Sequence, residues 1–279
     1  MNRRTSGFTL VELLIALLIV SLILSAVVSV YVGTTRSAAS LQARNDLQPE
    51  LQVTQNYMAS KLRQASYIFY NGANVQMSVN GKTTAKPDGT QNWVVGDTTA
   101  PIVAFIIPPK TVATGACATA TTTTASTYCY AFYAFYPMKR NAYLAAVSGA
   151  EKFDANPVDD STAWVMMEYR AYYSAFASNP IYGLTGFGIA SPNEIPKGGQ
   201  GRLLMDYLAP TAAATPLFTQ ANTPANPTAQ TAGSTTVTMN LAALQTVAGQ
   251  PVRVPAGTTT TYSTLTVYPR NVGKTQLSN

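Results

Sequence analysis

A long apolar stretch near the N-terminus constrains this chain more than any other feature. Residues 8–32 read FTLVELLIALLIVSLILSAVVSVYV and carry a single charge, Glu12. As a helix, 20 apolar residues span about 30 Å, the thickness of the hydrocarbon core of a bilayer. Arg3 and Arg4 precede the stretch, and positive charge tends to stay on the cytoplasmic side. The sequence therefore predicts one membrane-spanning helix, with the N-terminus inside and the rest of the chain outside.

Two ordinary interpretations of this stretch leave something unexplained. A secretory signal peptide needs a small-residue cleavage site just after its apolar run, but here the apolar residues continue past Ser25–Val27. A plain signal anchor explains the length and the orientation but gives no reason for Glu12. A carboxylate in a membrane helix is costly unless it is paired or lies near the interface.

A third interpretation starts from the residues around that carboxylate. The hexapeptide Gly7-Phe8-Thr9-Leu10-Val11-Glu12 resembles the prepilin signature of type IV pilins and type II secretion pseudopilins. The resemblance implies that residues 1–7 are a leader peptide, that prepilin peptidase cuts between Gly7 and Phe8, and that Phe8 is then N-methylated. It also implies the type IV pilin fold, a long N-terminal helix packed on an antiparallel β-rich head.

Electrostatics suggests what Glu12 does in such a protein. Cleavage would leave a charged amine on Phe8 at the start of an apolar helix, and helices of neighbouring subunits would bundle away from water. Two isolated charges there would be very costly, whereas the amine of one subunit and the Glu12 carboxylate of the next can neutralise each other. Such a pair also sets register, as a buried polar residue does in a coiled coil. We therefore expect Glu12 to be an assembly residue.

We expect the whole chain to be an α+β protein with four consecutive parts. These are the leader (1–7), the transmembrane assembly helix (8–32), an amphipathic second half of the helix (33–67) and a β-rich globular head (68–279). Apolar residues recur at helical spacing in the third part. We expect the helix to loosen at Gly33–Thr35 and to kink at Pro49. The apolar positions are Leu41, Leu47, Leu51, Tyr57, Met58 and Leu62.

The head contains short runs typical of strands. Alternation over 235–240 and 260–268 predicts two late strands that pair. Residues 75–79 lead into Asn80-Gly81, a strong hairpin signal. The Ala/Thr/Pro-rich residues 209–233 predict a long exposed loop. Further strands are expected at 93–95, 102–107, 128–136, 164–176 and 202–208.

The resemblance extends to three short stretches beyond the N-terminus. They lie at 61–67 (KLRQASY), 202–206 (RLLMD) and 267–271 (VYPRN). They are similar to stretches of long minor pilins of the PilW class and of PulJ-like pseudopilins. The length of the chain, 279 residues, also exceeds that of an ordinary major pilin.

Composition excludes several classes of enzyme site. The chain has no His, so a Ser-His-Asp triad, a Cys-His pair and a His-ligated zinc site are impossible. No phosphate-binding glycine motif or recognisable pair of catalytic carboxylates is present. We expect neither enzymatic activity nor a cofactor, and no metal site. Asp154, Asp159 and Asp160 leave calcium as an alternative, but their spacing does not match an EF-hand.

Two cysteines and a pair of basic residues are further candidates for a structural or functional role. Cys117 and Cys129 should form a disulfide in an oxidising compartment. Lys139 and Arg140 with nearby aromatic residues leave DNA open as a weakly supported partner, because the chain shows no long basic stripe.

The resemblance implies a structural minor pilin that helps to initiate assembly or lies near the fibre tip, in motility, adhesion or DNA uptake. Its partners would be the major pilin, other minor pilins, prepilin peptidase, the inner-membrane assembly platform and the lipid bilayer. It would reside in the inner membrane with a periplasmic head, and on the cell surface after assembly. The alternatives are a type II secretion pseudopilin and a competence pilin that binds DNA or a surface.

Overall fold

The computed structural model describes residues 9–77, 83–87, 90, 92–111, 117, 124–149, 152–173, 199–224 and 229–273. A long helix, α1 (Leu10–Arg63), is followed by a head of mainly antiparallel strands, so the predicted α+β class is confirmed. Three short helices, α2 (Ala125–Tyr128), α3 (Arg140–Ala146) and α4 (Pro157–Thr162), lie between strands. The strands are β1 (Tyr67–Ile68), β2 (Asn74–Gln76), β3 (Asn92–Val94), β4 (Val103–Ile107), β5 (Ala131–Lys139), β6 (Trp164–Tyr172), β7 (Gln200–Leu208), β8 (Phe218–Ala221), β9 (Thr236–Leu241), β10 (Ala243–Val247), β11 (Gln250–Val254) and β12 (Ser263–Val267).

The helix α1 is continuous through Gly33–Thr35, so the loosening predicted there is wrong. The hydroxyls of Thr34 and Thr35 donate to the carbonyl of Tyr31 at 2.9 and 3.0 Å. Their polar groups are thus satisfied inside the helix. The intrinsic cost of Gly33, about 1 kcal/mol, is too small to interrupt a long cooperative helix.

The helix also continues through Pro49, which removes one backbone bond; the kink expected there stays a prediction. It ends at Arg63, before the predicted Tyr67, because Tyr67 instead pairs with Ile106 in the sheet. The last described segment of the chain closes this end. The amide of Arg270 donates to the carbonyl of Arg63 at 3.0 Å, and Asn271 Nδ2 donates to the carbonyl of Gln64 at 3.2 Å. Helix-terminal carbonyls without a partner inside the helix are thereby satisfied.

A large antiparallel sheet supports the second half of α1. Within the described ranges its order is β1-β4-β5-β6-β7-β10-β11. The strand expected at 102–107 is present as β4, and all five of its residues are buried, so it is covered on both faces. Alternation along β5 sends Tyr133 and Phe135 to the α1 side and Phe132 and Tyr136 to the opposite side. The aromatic residues of β5 therefore contribute to the core on both sides of the sheet.

Each face of the large sheet has its own hydrophobic cluster. On one face the α1 residues Leu47, Leu51, Met58 and Leu62 pack with strand residues such as Phe105. On the other face, β2, β3 and α3 contribute Val75, Trp93 and Tyr143 to a second, aromatic-rich cluster. Leu41 is 60% exposed and contributes to neither cluster, although its spacing had placed it on the packing face.

Polar bonds also join α1 to the head. The helix residues that form them lie on or beside the buried face of α1, and their partners lie in strands β6, β7 and β12. The bonds are Tyr57 Oη to Glu168 Oε2 (2.6 Å), Gln55 Nε2 to the Ser263 carbonyl (3.1 Å), Ser263 Oγ to Gln55 Oε1 (2.9 Å), Thr54 Oγ1 to the Leu204 carbonyl (3.1 Å) and the Asp206 amide to Glu50 Oε1 (2.9 Å).

A smaller sheet, with described order β12-β9-β8, lies beside the end of α1. Val267 pairs with Val237 and Ser263 with Leu241. The predicted pairing of the two late alternating runs is therefore confirmed.

The third strand of this sheet, β8, lies inside residues 209–233, which the sequence had indicated as one exposed loop. Leu217 and Phe218 are buried, and so is Gln230, so the segment is partly structured. Two large apolar residues in an otherwise Ala/Thr/Pro-rich stretch are enough to anchor it to the core. The prediction of an exposed loop relied on the average composition of residues 209–233, which does not reveal single buried residues such as Leu217 and Phe218.

Other expectations lie partly outside the described residues. Val75 pairs with Trp93, so the early alternating run does form a strand, but Asn80 and Gly81 are not among the described residues.

A pair of matched substitutions tests how strongly the sheet holds α1. Leu62 is fully buried and Leu41 is 60% exposed on the same helix. Leu62→Ala should lower the free energy of unfolding of the head by about 2–5 kcal/mol, because it leaves a cavity. Leu41→Ala should change it by less than about 0.5 kcal/mol. Denaturant titration of the full chain in detergent, followed by tryptophan fluorescence, measures both, and equal effects would contradict this packing.

Candidate assembly site

The start of α1 places Glu12 in a capping box. Thr9 is the N-cap, and the Glu12 amide donates to Thr9 Oγ1 at 3.3 Å. In return, the amide and the hydroxyl of Thr9 both donate to Glu12 Oε2 at 2.9 Å. Reciprocal bonds of this kind satisfy backbone donors at a helix start and fix where the helix begins. The carboxylate is therefore held at a defined position on the first turn.

This second role of Glu12 was missed from the sequence, although a signal for it was present. The pattern Thr9-x-x-Glu12 before an apolar run is typical of a capping box. Gly7 and Phe8, the residues expected to flank the cleavage site, lie outside the described residues. The relation of Glu12 to a Phe8 amine thus stays a prediction.

The first half of α1 exposes an apolar surface along its whole length. Large apolar side chains from Leu10, 75% exposed, to Val32, 36% exposed, contact little of the protein. The helix is long and apolar enough to cross a bilayer. Such a surface is unfavourable in water and is covered in stable proteins by lipid or by other apolar surfaces. The site thus combines a single fixed carboxylate with a helix that needs an apolar environment.

Fold and site together define a subunit with an apolar N-terminal helix for a membrane or a helical bundle and a separate β-rich head. The comparison with protein families agrees with this class. The family described as "Prokaryotic N-terminal methylation motif" matches residues 2–28, which include Gly7, Phe8 and Glu12. The match supports a type IV pilin-like or pseudopilin-like chain that prepilin peptidase processes. No curated protein and no solved structure matches the chain.

The cysteines lie in the β-rich head and not on α1. Cys117 and Cys129 form a disulfide with a Cα–Cα distance of 4.9 Å. Both are buried beside the partly buried Tyr172 at the end of β6. The bridge constrains a loop of the head, consistent with folding in an oxidising compartment.

Of the three aspartates considered for calcium, Asp159 and Asp160 bind protein donors through their carboxylates, and Asp154 accepts Arg140 Nη2 through its backbone carbonyl. Asp159 accepts the Thr246 amide at 2.9 Å and Asn156 Nδ2 at 2.7 Å, and Asp160 accepts Arg140 Nη1. No group of three or more His, Cys, Asp or Glu suited to a metal was found among the described residues.

Arg140 is the centre of a buried polar cluster and not part of a DNA-binding surface. It is 1% exposed, and its Nε donates to Asp206 Oδ1 at 2.9 Å. The guanidinium also lies 4.3 Å from the centre of the Phe153 ring and 4.5 Å from that of Tyr207. Burial raises the pKa of Asp206, although the bonds from Arg140 act in the opposite direction. Lys139 is left as the exposed member of the predicted basic pair.

Neighbouring residues Arg140 and Lys139 provide a test of this cluster. Arg140→Met should destabilise the head by about 3–5 kcal/mol, because the carboxylates of Asp160 and Asp206 would lose a buried partner. Lys139→Met should be nearly neutral, because Lys139 is exposed. Thermal unfolding of the full chain by circular dichroism compares the two. A mild effect of Arg140→Met would show that the cluster adds little to stability.

Proposed function

We propose that this protein is a minor pilin of a type IV pilus and that it acts in the initiation of assembly or near the fibre tip. The observation that carries the proposal is the exposed apolar half of α1, with Glu12 fixed on its first turn inside the methylation motif. Prepilin peptidase cuts between Gly7 and Phe8, and Phe8 becomes N-methylated. The helix anchors the precursor in the inner membrane with its head in the periplasm.

Assembly then moves α1 from lipid into a bundle of helices of the major pilin and the other minor pilins. Both surroundings are apolar, so the transfer costs little free energy. Glu12 neutralises the amine of Phe8 in a neighbouring subunit, which selects one register. The inner-membrane assembly platform would move the subunit without a change in the fold of its head.

The assignment to the class of long minor pilins rests on the three short stretches of resemblance. All three meet around the second half of α1. Residues 61–67 include its end, Asp206 in β7 binds Glu50, and Arg270 and Asn271 cap its last turn. The stretches thus belong to one structural unit, the junction of the helix and the head.

A pseudopilin of a type II secretion system is the second candidate, because the same N-terminal motif occurs in both classes. Deletion of the gene separates them. Loss of surface pili with normal secretion of exoproteins supports the pilus, and the reverse supports the secretion system. A competence pilin that binds DNA through Lys139 and Arg140 is disfavoured by the burial of Arg140.

The mature N-terminus tests the processing step. Mass spectrometry of the membrane-derived protein should find Phe8 as the first residue, with one added methyl group. In a strain without prepilin peptidase the protein should retain Met1–Gly7. A protein that retains these residues in both strains, or that begins after Val32, would refute the proposal.

A charge-removing substitution tests the assembly role of Glu12. Glu12→Ala should be cleaved and should enter the membrane, but its amount in sheared pili should fall at least about tenfold, because the neighbouring amine loses its partner. Asp46→Ala is the matched control, since Asp46 is an exposed carboxylate on the second half of α1. Immunoblots of pilus and membrane fractions give both values, and equal incorporation of the two variants would contradict the role.

A further inference from the structure

A groove of about 670 Å³ opens on the head between the turn after β1 and the strand β8. The turn contributes Tyr70 and Asn71. Strand β8 and the segment after it contribute Gln220, Asn222, Thr223 and Pro224, and Ala229 and Ser234 complete the described lining. The volume falls within the range of small-molecule sites in proteins, about 300–1,000 Å³.

Hydrogen bonds in and behind the walls of the groove fix residues that line it. The side chain of Gln230 is fully buried and takes the place of a strand beside Ile68, donating to its carbonyl at 2.6 Å and accepting its amide at 3.0 Å. Asn222 Nδ2 donates to the Ser234 carbonyl at 2.9 Å, and Thr235 Oγ1 donates to the Asn222 carbonyl at 2.8 Å. A preformed wall reduces the ordering that a ligand must impose.

The lining mixes polar and apolar groups and, over its described part, carries no charge. It presents carboxamides, hydroxyls, one tyrosine ring and the apolar residues Pro224 and Ala229. Gln220 Nε2 is buried without a hydrogen-bond partner among the described residues, while its Oε1 accepts Thr223 Oγ1 at 3.4 Å. Carboxamides both donate and accept, which matches the vicinal hydroxyls of a sugar. Tyr70, Pro224 and Ala229 add apolar surface to the lining, which the C–H groups of the same ligand could contact.

We propose that this groove binds a neutral oligosaccharide. A nucleic acid or an anionic polymer would require cationic side chains, which the described lining lacks. An apolar ligand would leave the carboxamides without partners. A peptide would be expected to use apolar pockets or a row of backbone groups, whereas this groove presents polar side chains.

A second groove on the same head provides an internal comparison. It has a volume of about 390 Å³ and is lined by Arg63, Arg270 and the exposed Tyr268. Anionic probes should prefer this basic groove. Arg270→Ala therefore separates binding by charge from binding by the neutral groove.

The test uses the full chain in a detergent without a sugar headgroup, so that the detergent does not compete. The probes are maltotetraose, chitotetraose, mannotetraose and galactotetraose, with a sulfated maltotetraose and a short single-stranded DNA for contrast. Saturation-transfer NMR detects binding, and calorimetric titration measures its affinity. At least one neutral tetrasaccharide should bind with an affinity that is insensitive to salt.

Groove substitutions decide where the sugar binds. Asn71→Ala and Gln220→Ala should each weaken binding by roughly tenfold, through loss of hydrogen bonds to the ligand. Gln250→Ala, an exposed change on β11, and Arg270→Ala should leave it unchanged, and circular dichroism confirms that each variant is folded. The proposal is overturned if no neutral tetrasaccharide binds or if the groove variants bind as well as the wild type. It is also overturned if binding is confined to the sulfated sugar or DNA and is lost in Arg270→Ala.

Discussion

The structure depends on the two different environments that one helix requires. The second half of α1 buries Leu47, Leu51, Met58 and Leu62 against its own sheet. The first half exposes its apolar side chains along its whole length. Because hydrophobic burial is the main favourable term in folding, the head can be stable by itself while the first half of the helix still needs an external apolar environment. The second half of the helix is thus packed within the fold, whereas the apolar surface of the first half still has to be covered from outside.

Two charged groups illustrate opposite uses of polar residues in such a chain. Arg140 is buried and its guanidinium is bound by carboxylates from α4 and β7, so its role is internal to the head. Glu12 lies on the exposed helix, where the bonds from Thr9 fix its position but leave it outside any core. The first arrangement selects one packing of the head, and in the proposed pilin the second selects one packing between subunits. The same electrostatic cost of an isolated charge in apolar surroundings underlies both.

Features with a local signal could be predicted from the sequence, and those that depend on distant partners could not. The apolar run, the buried strand at 103–107 and the pairing of β9 with β12 follow from composition and alternation. Arg140 beside Lys139 resembles an exposed basic pair, yet its partners Asp160 and Asp206 lie 20 and 66 positions away in sequence. Strand β8 was missed because it is formed by pairing with β9, and a few apolar residues in a low-complexity stretch do not indicate that pairing. For the candidate site, the sequence located Glu12, while the bonds that orient it required atomic positions.

The bonds between α1 and the head have a mechanical consequence. Glu50, Thr54, Gln55 and Tyr57 contact three different strands within about two helical turns. A pull on the N-terminal half of α1, along the helix axis, loads these bonds and the buried side chains beside them in shear. Contacts loaded in this way share the force and have to yield together, unlike contacts that are peeled apart one at a time. These bonds therefore give a route by which tension on the helix reaches three strands of the head at once.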